Sequence, residues 1–127
     1  MKLTKNFDST ETHCSCGQCG GNVTMEFIRK LQLLRDICGH SLPINSGYRC
    51  ATYNKRIGGA GDSRHVYGDA ADIGITGMTH RQYLELIGHA VQLGFTGFGL
   101  GIGFLHLDTR PGDVVVWHYP PGKTSGH

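Results

Sequence analysis

Two separate segments of the chain carry side chains that could bind a metal ion. In the first, His65 and Asp72 stand seven residues apart, with small residues between them and an apolar run just beyond. A loop that enters a strand at this spacing can bring both side chains to one point, and imidazole nitrogen and carboxylate oxygen are ordinary zinc ligands. The pair indicates a site without defining one, because a histidine and an aspartate at this distance also occur by chance.

A third candidate ligand comes from residues 103–108, which read Gly-Phe-Leu-His-Leu-Asp. In a strand, residues two apart face the same side, so His106 and Asp108 would project together. Leu105 and Leu107 would then point to the opposite, buried face. A histidine and a carboxylate on one strand face suit the floor of a site. Without His65 and Asp72 in the chain, we would interpret the same pattern as a solvent-facing strand.

The cysteines could form a second kind of site. There are five of them, of which the first three make a C-x-C-x2-C cluster: Cys14, Cys16, Cys19, Cys38 and Cys50. Such a cluster can hold a structural metal with a fourth ligand such as His13 or Cys50. The spacing is not that of paired CxxC knuckles, however, and this favours reduced thiols in a Gly-rich turn, or one local disulfide. Because five is odd, at least one thiol is unpaired within the chain.

The length and charge of the chain are those of one ordinary domain. We expect residues 1–127 to form a single domain, because domains commonly have about 100–150 residues, with a Cys/Gly-rich N-terminal segment over residues 1–23. The 12 basic and 10 acidic side chains are mixed along the sequence, for a formal charge of +2. The chain has no run of basic residues, so we do not expect a nucleic-acid partner. No stretch approaches the roughly 18–20 apolar residues of a membrane span. We expect a monomer.

Two long helices must help to position the candidate site. The first is predicted to begin at Thr24 and to end at Gly39, with apolar residues at helical spacing between them. The second is predicted to begin at Thr79, with Gln82 as its capping-box partner, and to close at Gly94.

The strands cluster in the second half of the chain. Residues 50–57 have the pattern of one or two helical turns, and strands are predicted over residues 42–46, 71–75, 104–108 and 114–119. The last two strands flank a Pro-Gly turn over residues 109–113 and therefore predict a hairpin. Since helices come early and strands late, we expect an α+β fold with helices packed on a small, mainly antiparallel sheet.

Three segments resemble motifs of the M15 peptidases, a family that includes D-alanyl-D-alanine carboxypeptidases, murein endopeptidases and phage endolysins. Residues 63–72, which read Ser-x-His-x-x-Gly-x-Ala-x-Asp, resemble the first zinc motif of the family. Residues 104–108 resemble the second zinc motif of the branch in which Asp or Glu follows two residues after the histidine. Residues 46–49, Ser-Gly-Tyr-Arg, resemble the segment with the family's active-site arginine. The likeness extends over nearly the whole chain, with the motifs in the family's order.

This resemblance implies a compact α+β zinc fold, shared with the signalling domain of hedgehog proteins. His65, Asp72 and His106 would bind Zn²⁺ and leave a fourth position for water. Two neutral imidazoles and one carboxylate leave the site positively charged, which lowers the pKa of that water from about 15.7 toward 7 and polarises a scissile carbonyl. Arg49 would donate hydrogen bonds to the substrate carbonyl or the developing oxyanion. The alternative for Arg49 is a surface salt bridge.

One position departs from the family pattern. Many relatives carry the catalytic acid three residues before the last histidine, where this chain has Gly103, which cannot transfer a proton. The nearest carboxylate is Asp108, which we nominate as the general base that later protonates the leaving amine. Asp108 could instead orient a ligand, or bind the metal itself.

The resemblance implies a zinc metallopeptidase that hydrolyses peptide bonds in murein stem peptides or cross-links, as a carboxypeptidase or an endopeptidase. The alternative is a zinc-containing module that binds the cell wall without cutting it, because a fold does not guarantee an activity. A metal-free structural protein of a phage particle would leave the His/Asp pattern unexplained. The start of the sequence has no secretory signal pattern. Together with a compact lytic-type domain this points toward a phage or prophage origin, with a protein made in the host cytoplasm and acting on the wall.

Overall fold

The computed structural model describes residues 1–123 as four helices packed on one five-stranded sheet. The helices are α1 Ser9–Thr12, α2 Met25–Cys38, α3 Ala51–Arg56 and α4 His80–Gln92, with a short 3-10 helix over Arg64–Tyr67. The strands are β1 Ile44–Ser46, β2 Ala70–Gly74, β3 Gly97–Leu100, β4 Phe104–Asp108 and β5 Val115–His118. The predicted α+β class is confirmed.

The sheet is mainly antiparallel, as predicted. Its strand order is β1-β2-β4-β3-β5, and every neighbouring pair is antiparallel except β3 and β5, which are parallel. The predicted hairpin between residues 104–108 and 114–119 is wrong, because β3 lies between those two strands. β3 was not predicted from its sequence, since two of its four residues are glycines, which are depleted in strands.

The two long helices begin and end where their capping residues predict. The Thr24 side chain accepts a hydrogen bond from a backbone N–H of the first turn of α2, and Gly39 ends that helix in the left-handed conformation. Thr79 and Gln82 form a reciprocal capping box at the start of α4. Within residues 1–123, no helix combines the length and the apolar character needed to cross a bilayer.

The hydrophobic core lies between the long helices and one face of the sheet. Strand alternation sends Ile73, Leu105 and Leu107 into this core, where they are fully buried. The same core receives the apolar stripe of α2 and the inner face of α4: Phe27, Ile28, Leu31, Leu34, Leu86 and Ala90. Asp72 and His106, one residue away from core positions, therefore project from the opposite face of the sheet.

Candidate metal centre

The three predicted ligands meet on the face of the sheet away from the core. Asp72 of β2 is the register partner of His106 in β4, so the two side chains stand side by side. His65 reaches them from the 3-10 helix before β2. The Nε2 atom of His65 and the Nδ1 atom of His106 each lie 3.1 Å from Oδ1 of Asp72, and the two nitrogens are 3.2 Å apart. All three residues are at most 3% exposed.

The short 3-10 helix explains the seven-residue spacing of the first motif. The Ser63 hydroxyl accepts a hydrogen bond from the backbone N–H of His65 and caps the turn. Gly68 ends the turn with a φ of 77°, a left-handed conformation that favours glycine. The chain then enters β2, which carries Asp72 back to the ring of His65.

Hydrogen bonds on the far side of each ring fix which nitrogen is free to bind a metal. Nδ1 of His65 lies 2.7 Å from the carbonyl oxygen of Gly47, and Nε2 of His106 lies 2.7 Å from Oδ2 of Asp108. Because these oxygens only accept, both ring nitrogens must carry the hydrogen. In the neutral rings the remaining nitrogens, together with Oδ1 of Asp72, are three acceptors that face one another.

Such a cluster of acceptors requires a cation, or a proton, between its members. Zinc bound tetrahedrally to nitrogen and oxygen at about 2.0–2.2 Å would hold its ligand atoms about 3.3 Å apart, close to the separations found here. Two imidazoles and one carboxylate, with no fourth protein ligand in the group, are also the donor set of catalytic zinc sites. The residues therefore fit zinc.

The charges of these groups support the same interpretation. Burial alone raises the pKa of Asp72. When the histidines are protonated, as they can be without a metal ion, the charge of His65 and the hydrogen bonds that both rings then donate outweigh burial and hold that pKa well below its ordinary value. Burial alone lowers the pKa of His106, yet its hydrogen bonds to Asp108 and Asp72 raise it. An anionic carboxylate that favours positive charge on its neighbours is the electrostatic environment of a cation site.

Asp108 lies behind His106, on the side away from the ligand nitrogen. It is fully buried, and Arg110 donates to both of its oxygens, from Nε at 2.9 Å and from Nη2 at 2.7 Å. These bonds and that of His106 keep its pKa low although burial raises it. Gly97 leaves room for the carboxylate, since a Cβ there would lie 2.1 Å from Oδ1 of Asp108. Of the roles considered for Asp108, this geometry favours orienting the ligand.

Arg49 is held beside the metal-binding group. Its Nη2 atom lies 3.8 Å from Oδ2 of Asp72, and its Nη1 atom donates to Oδ1 of Asn54 at 3.1 Å. The residue is 8% exposed, so the alternative of a surface salt bridge does not describe it. The contact of Asn54 with Arg49 was not predicted from the sequence. The only indication of it was that Asn54 follows the arginine by five residues, in the segment predicted to be helical.

An aromatic wall borders the site in a cleft of about 280 Å³. The ring centroid of Trp117 lies 5.2 Å from that of His106. The Cζ atom of the Arg110 guanidinium lies over the Trp117 ring, 4.8 Å from its centroid. Gly99 of β3 makes this possible, because a Cβ there would be 2.8 Å from the Trp117 ring. Tyr119 continues the wall, and burial raises the pKa of its phenol. Both aromatics were missed, although their spacing of two indicates a shared face at the end of β5.

Three other positions near the motifs, Gly103, Asp69 and His118, supply no proton-transfer group to the cleft. Gly103 has a φ of 82° in the turn before β4, a conformation that an acidic side chain would rarely adopt. Asp69 is bound by the guanidinium of Arg64, and His118 is exposed on β5. None of these three residues lines the cleft.

The chain belongs to the M15 peptidase family. The family described as Peptidase M15 matches residues 3–108, which contain Arg49 and all three predicted ligands. The chain is also 33% identical, over 129 aligned positions, to the zinc D-Ala-D-Ala carboxypeptidase of Streptomyces albus G. This alignment covers 91% of the chain and 49% of the carboxypeptidase, so the chain spans about half the length of that relative. The predicted family and its zinc cofactor are confirmed.

The convergence of three ligands predicts that each is needed to retain the metal. We expect zinc measured by mass spectrometry to fall far below one ion at this centre in His65→Ala, Asp72→Ala and His106→Ala. His80→Ala, at an exposed position of α4, is the matched control and should keep its zinc. Full zinc at the centre in all three ligand variants would contradict the assignment.

The hydrogen bond behind His106 predicts a separate effect for Asp108→Asn. Without the carboxylate the ring is less basic and less firmly held, so zinc affinity should fall by about 10–100-fold. Competition with a chelator of known affinity measures this change, with Asp113→Asn in an exposed turn as the control. Unchanged zinc affinity together with a large loss of peptide cleavage would return Asp108 to the role of general base.

Proposed function

We propose that this chain is a zinc-dependent peptidase that cleaves peptide bonds in the murein of bacterial cell walls, within stem peptides or cross-links. The observation that carries the proposal is the set of three protein ligands at the wall of an open cleft, with Arg49 beside them. Structural zinc sites are normally closed by four protein ligands, whereas catalytic sites keep a position open. The relative named as a D-Ala-D-Ala carboxypeptidase supports the substrate class.

The charge of the cleft suits a peptide that carries carboxylates. Four cationic residues line it, against two acidic ones: Arg49, Arg64, Arg110 and Lys123, with Asp62 and Asp72. Arg64 and Arg110 are already bound to Asp69 and Asp108, which lie outside the cleft. Lys123 therefore remains for a substrate carboxylate, and murein stem peptides end in a carboxylate and contain others.

Each neighbouring residue has a distinct part in the proposed reaction. Zinc at this centre would act as a Lewis acid that polarises a carbonyl and lowers the pKa of water. Arg49 would donate paired hydrogen bonds to the carbonyl oxygen as negative charge develops there. The Tyr119 phenol is protonated at neutral pH, since its ordinary pKa is about 10 and burial raises that pKa further, so it is a second donor. Trp117 packs against His106 and limits the access of solvent to that ring.

Asp62 is our candidate for the group that accepts the proton. Among residues 1–123, Asp62 and Asp72 are the carboxylates that line the cleft, and Asp72 is a predicted ligand. Asp62 is exposed in the loop before His65, where a substrate can reach it.

The assignment of Asp62 predicts a loss of turnover without a loss of metal. Asp62→Asn removes the proton acceptor but leaves the zinc ligands intact, so cleavage should fall by about 10²–10⁴-fold. Zinc content of the same preparation is the internal control. Turnover equal to wild type would exclude Asp62 as the base.

A second candidate function is a module that binds the wall without cutting it. The observation in its favour is that no acid stands at position 103, while Asp108 is engaged by His106 and Arg110. In that case zinc would remain bound and the cleft would hold a stem peptide without hydrolysing it.

One assay separates the two functions. Zinc-loaded protein is incubated with purified murein, with stem pentapeptides and with cross-linked dimers, and the products are analysed by mass spectrometry. We expect cleavage that a chelator abolishes; release of terminal D-Ala would indicate a carboxypeptidase, and splitting of dimers an endopeptidase. Tight binding to murein with no cleavage of any substrate favours the module.

The position of Arg49 predicts a loss of turnover in a conservative variant. Arg49→Lys should lower turnover on the order of 10²-fold with zinc retained, whereas Arg81→Lys on the surface should not.

A further inference from the structure

Four of the five thiols meet at a second place in the fold, remote in sequence from the three zinc ligands. Cys14, Cys16 and Cys19 come from the loop before α2, and Cys50 is the residue that caps α3. Their sulfur atoms all lie within 4.8 Å of one another. All five cysteines are unpaired, and Cys38 at the end of α2 is outside this group.

The separations of the sulfurs are those of ligands around one ion. Zinc binds thiolate sulfur at about 2.3 Å, so a tetrahedral site holds its sulfurs about 3.8 Å apart. Here the Sγ atoms of Cys16 and Cys50 are 4.0 Å apart. A disulfide would bring two sulfurs to about 2.05 Å and leave the others aside. Four sulfurs that all lie within 4.8 Å of one another favour one shared ion over a single disulfide bond.

Backbone N–H groups are aimed at every one of these sulfurs. The Sγ atom of Cys16 accepts from the N–H groups of residues 18 and 19, both at 3.4 Å. Cys14 accepts from the N–H of Cys50 at 3.3 Å. Cys19 and Cys50 accept from the N–H groups two and three residues further on, at 3.3 and 3.4 Å. Such donors stabilise the thiolate, which is the form that binds metal.

We propose that Cys14, Cys16, Cys19 and Cys50 bind a second metal ion, zinc, in a closed four-sulfur site. Soft thiolate ligands in a tetrahedral set select zinc among the common divalent ions. Four protein ligands leave no open position, so this ion is structural. The N–H donors offset the excess negative charge that four thiolates place around a divalent ion. His13, the other fourth ligand considered from sequence, is not part of the sulfur group.

The second ion would stabilise the segment that carries Arg49. Cys50 directly follows Arg49, and Gly47, two residues before it, supplies the carbonyl that orients His65. The same segment is bound to the N-terminal part of the chain by the N–H of Tyr48, which donates to the carbonyl of Thr12 at 2.9 Å. A four-sulfur ion would therefore cross-link the N-terminal loop to the residues that shape the cleft.

Metal counting tests the proposal on the whole chain, purified under reducing conditions with zinc present. We expect two zinc ions per chain in the wild type and one in His106→Ala. Cys16→Ser should also retain one, whereas Cys38→Ser, which changes the cysteine outside the group, should retain two. A wild-type content of one ion that disappears in His106→Ala would overturn the four-sulfur site.

X-ray absorption at the zinc edge decides the matter even if the cysteine variants do not fold. The ion retained by His106→Ala should show four sulfur neighbours at about 2.3 Å. In the wild type, the average over both ions should be a mixture of sulfur with nitrogen and oxygen. A shell of nitrogen and oxygen alone in either protein would overturn the proposal. So would a mass two hydrogens below the reduced chain in zinc-loaded protein, because that mass indicates a disulfide.

Discussion

The pairing of β2 with β4 is the interaction on which the rest of the site depends. It puts Asp72 opposite His106 on one face of the sheet and Ile73 opposite Leu105 on the other. A slip of one residue would turn His106 into the core and a leucine into the cleft. Burial of the leucines in β4 opposes that slip, with each large apolar side chain contributing roughly 1.5–3 kcal/mol. The hydrophobic core therefore holds the register that assembles the metal centre.

Hydrogen bonds to groups outside the three predicted ligands orient the candidate ligands His65 and His106. A carbonyl behind His65 and the Asp108–Arg110 pair behind His106 each take the hydrogen of the far ring nitrogen, and so direct a bare nitrogen toward Asp72. The glycines of β3 make the space for this arrangement, because side chains at those positions would collide with Asp108 and with the Trp117 ring. The glycines that give β3 a low strand propensity are therefore the residues that make room for the site.

The sequence predicted the features that depend on neighbouring residues, such as helix caps and strand bounds, better than those that depend on long-range pairing. The caps of α2 and α4 and the bounds of β4 could be read from residue types and spacing, and the family resemblance named the three residues that the fold brings together, His65, Asp72 and His106. The partner of β5 could not, because Gly97 and Gly99 conceal the intervening strand. Alternation correctly put Asp108 on the face of His106, yet it could not tell which side of the imidazole the carboxylate would reach. The sequence offered both His13 and Cys50 as a fourth partner for the cysteine cluster, and only the fold could show that Cys50 is the one that joins it.

The abundance of glycine gives a physical reason for the two metal ions that we propose in so small a domain. Twenty of the 127 residues are glycines, and each loses more conformational entropy on folding than any other residue. The loops that carry the thiols and the segment before His65 are rich in glycine. Ligand bonds to a metal ion would restrict those loops. Arg49 lies between the two ligand groups, so its position depends on both.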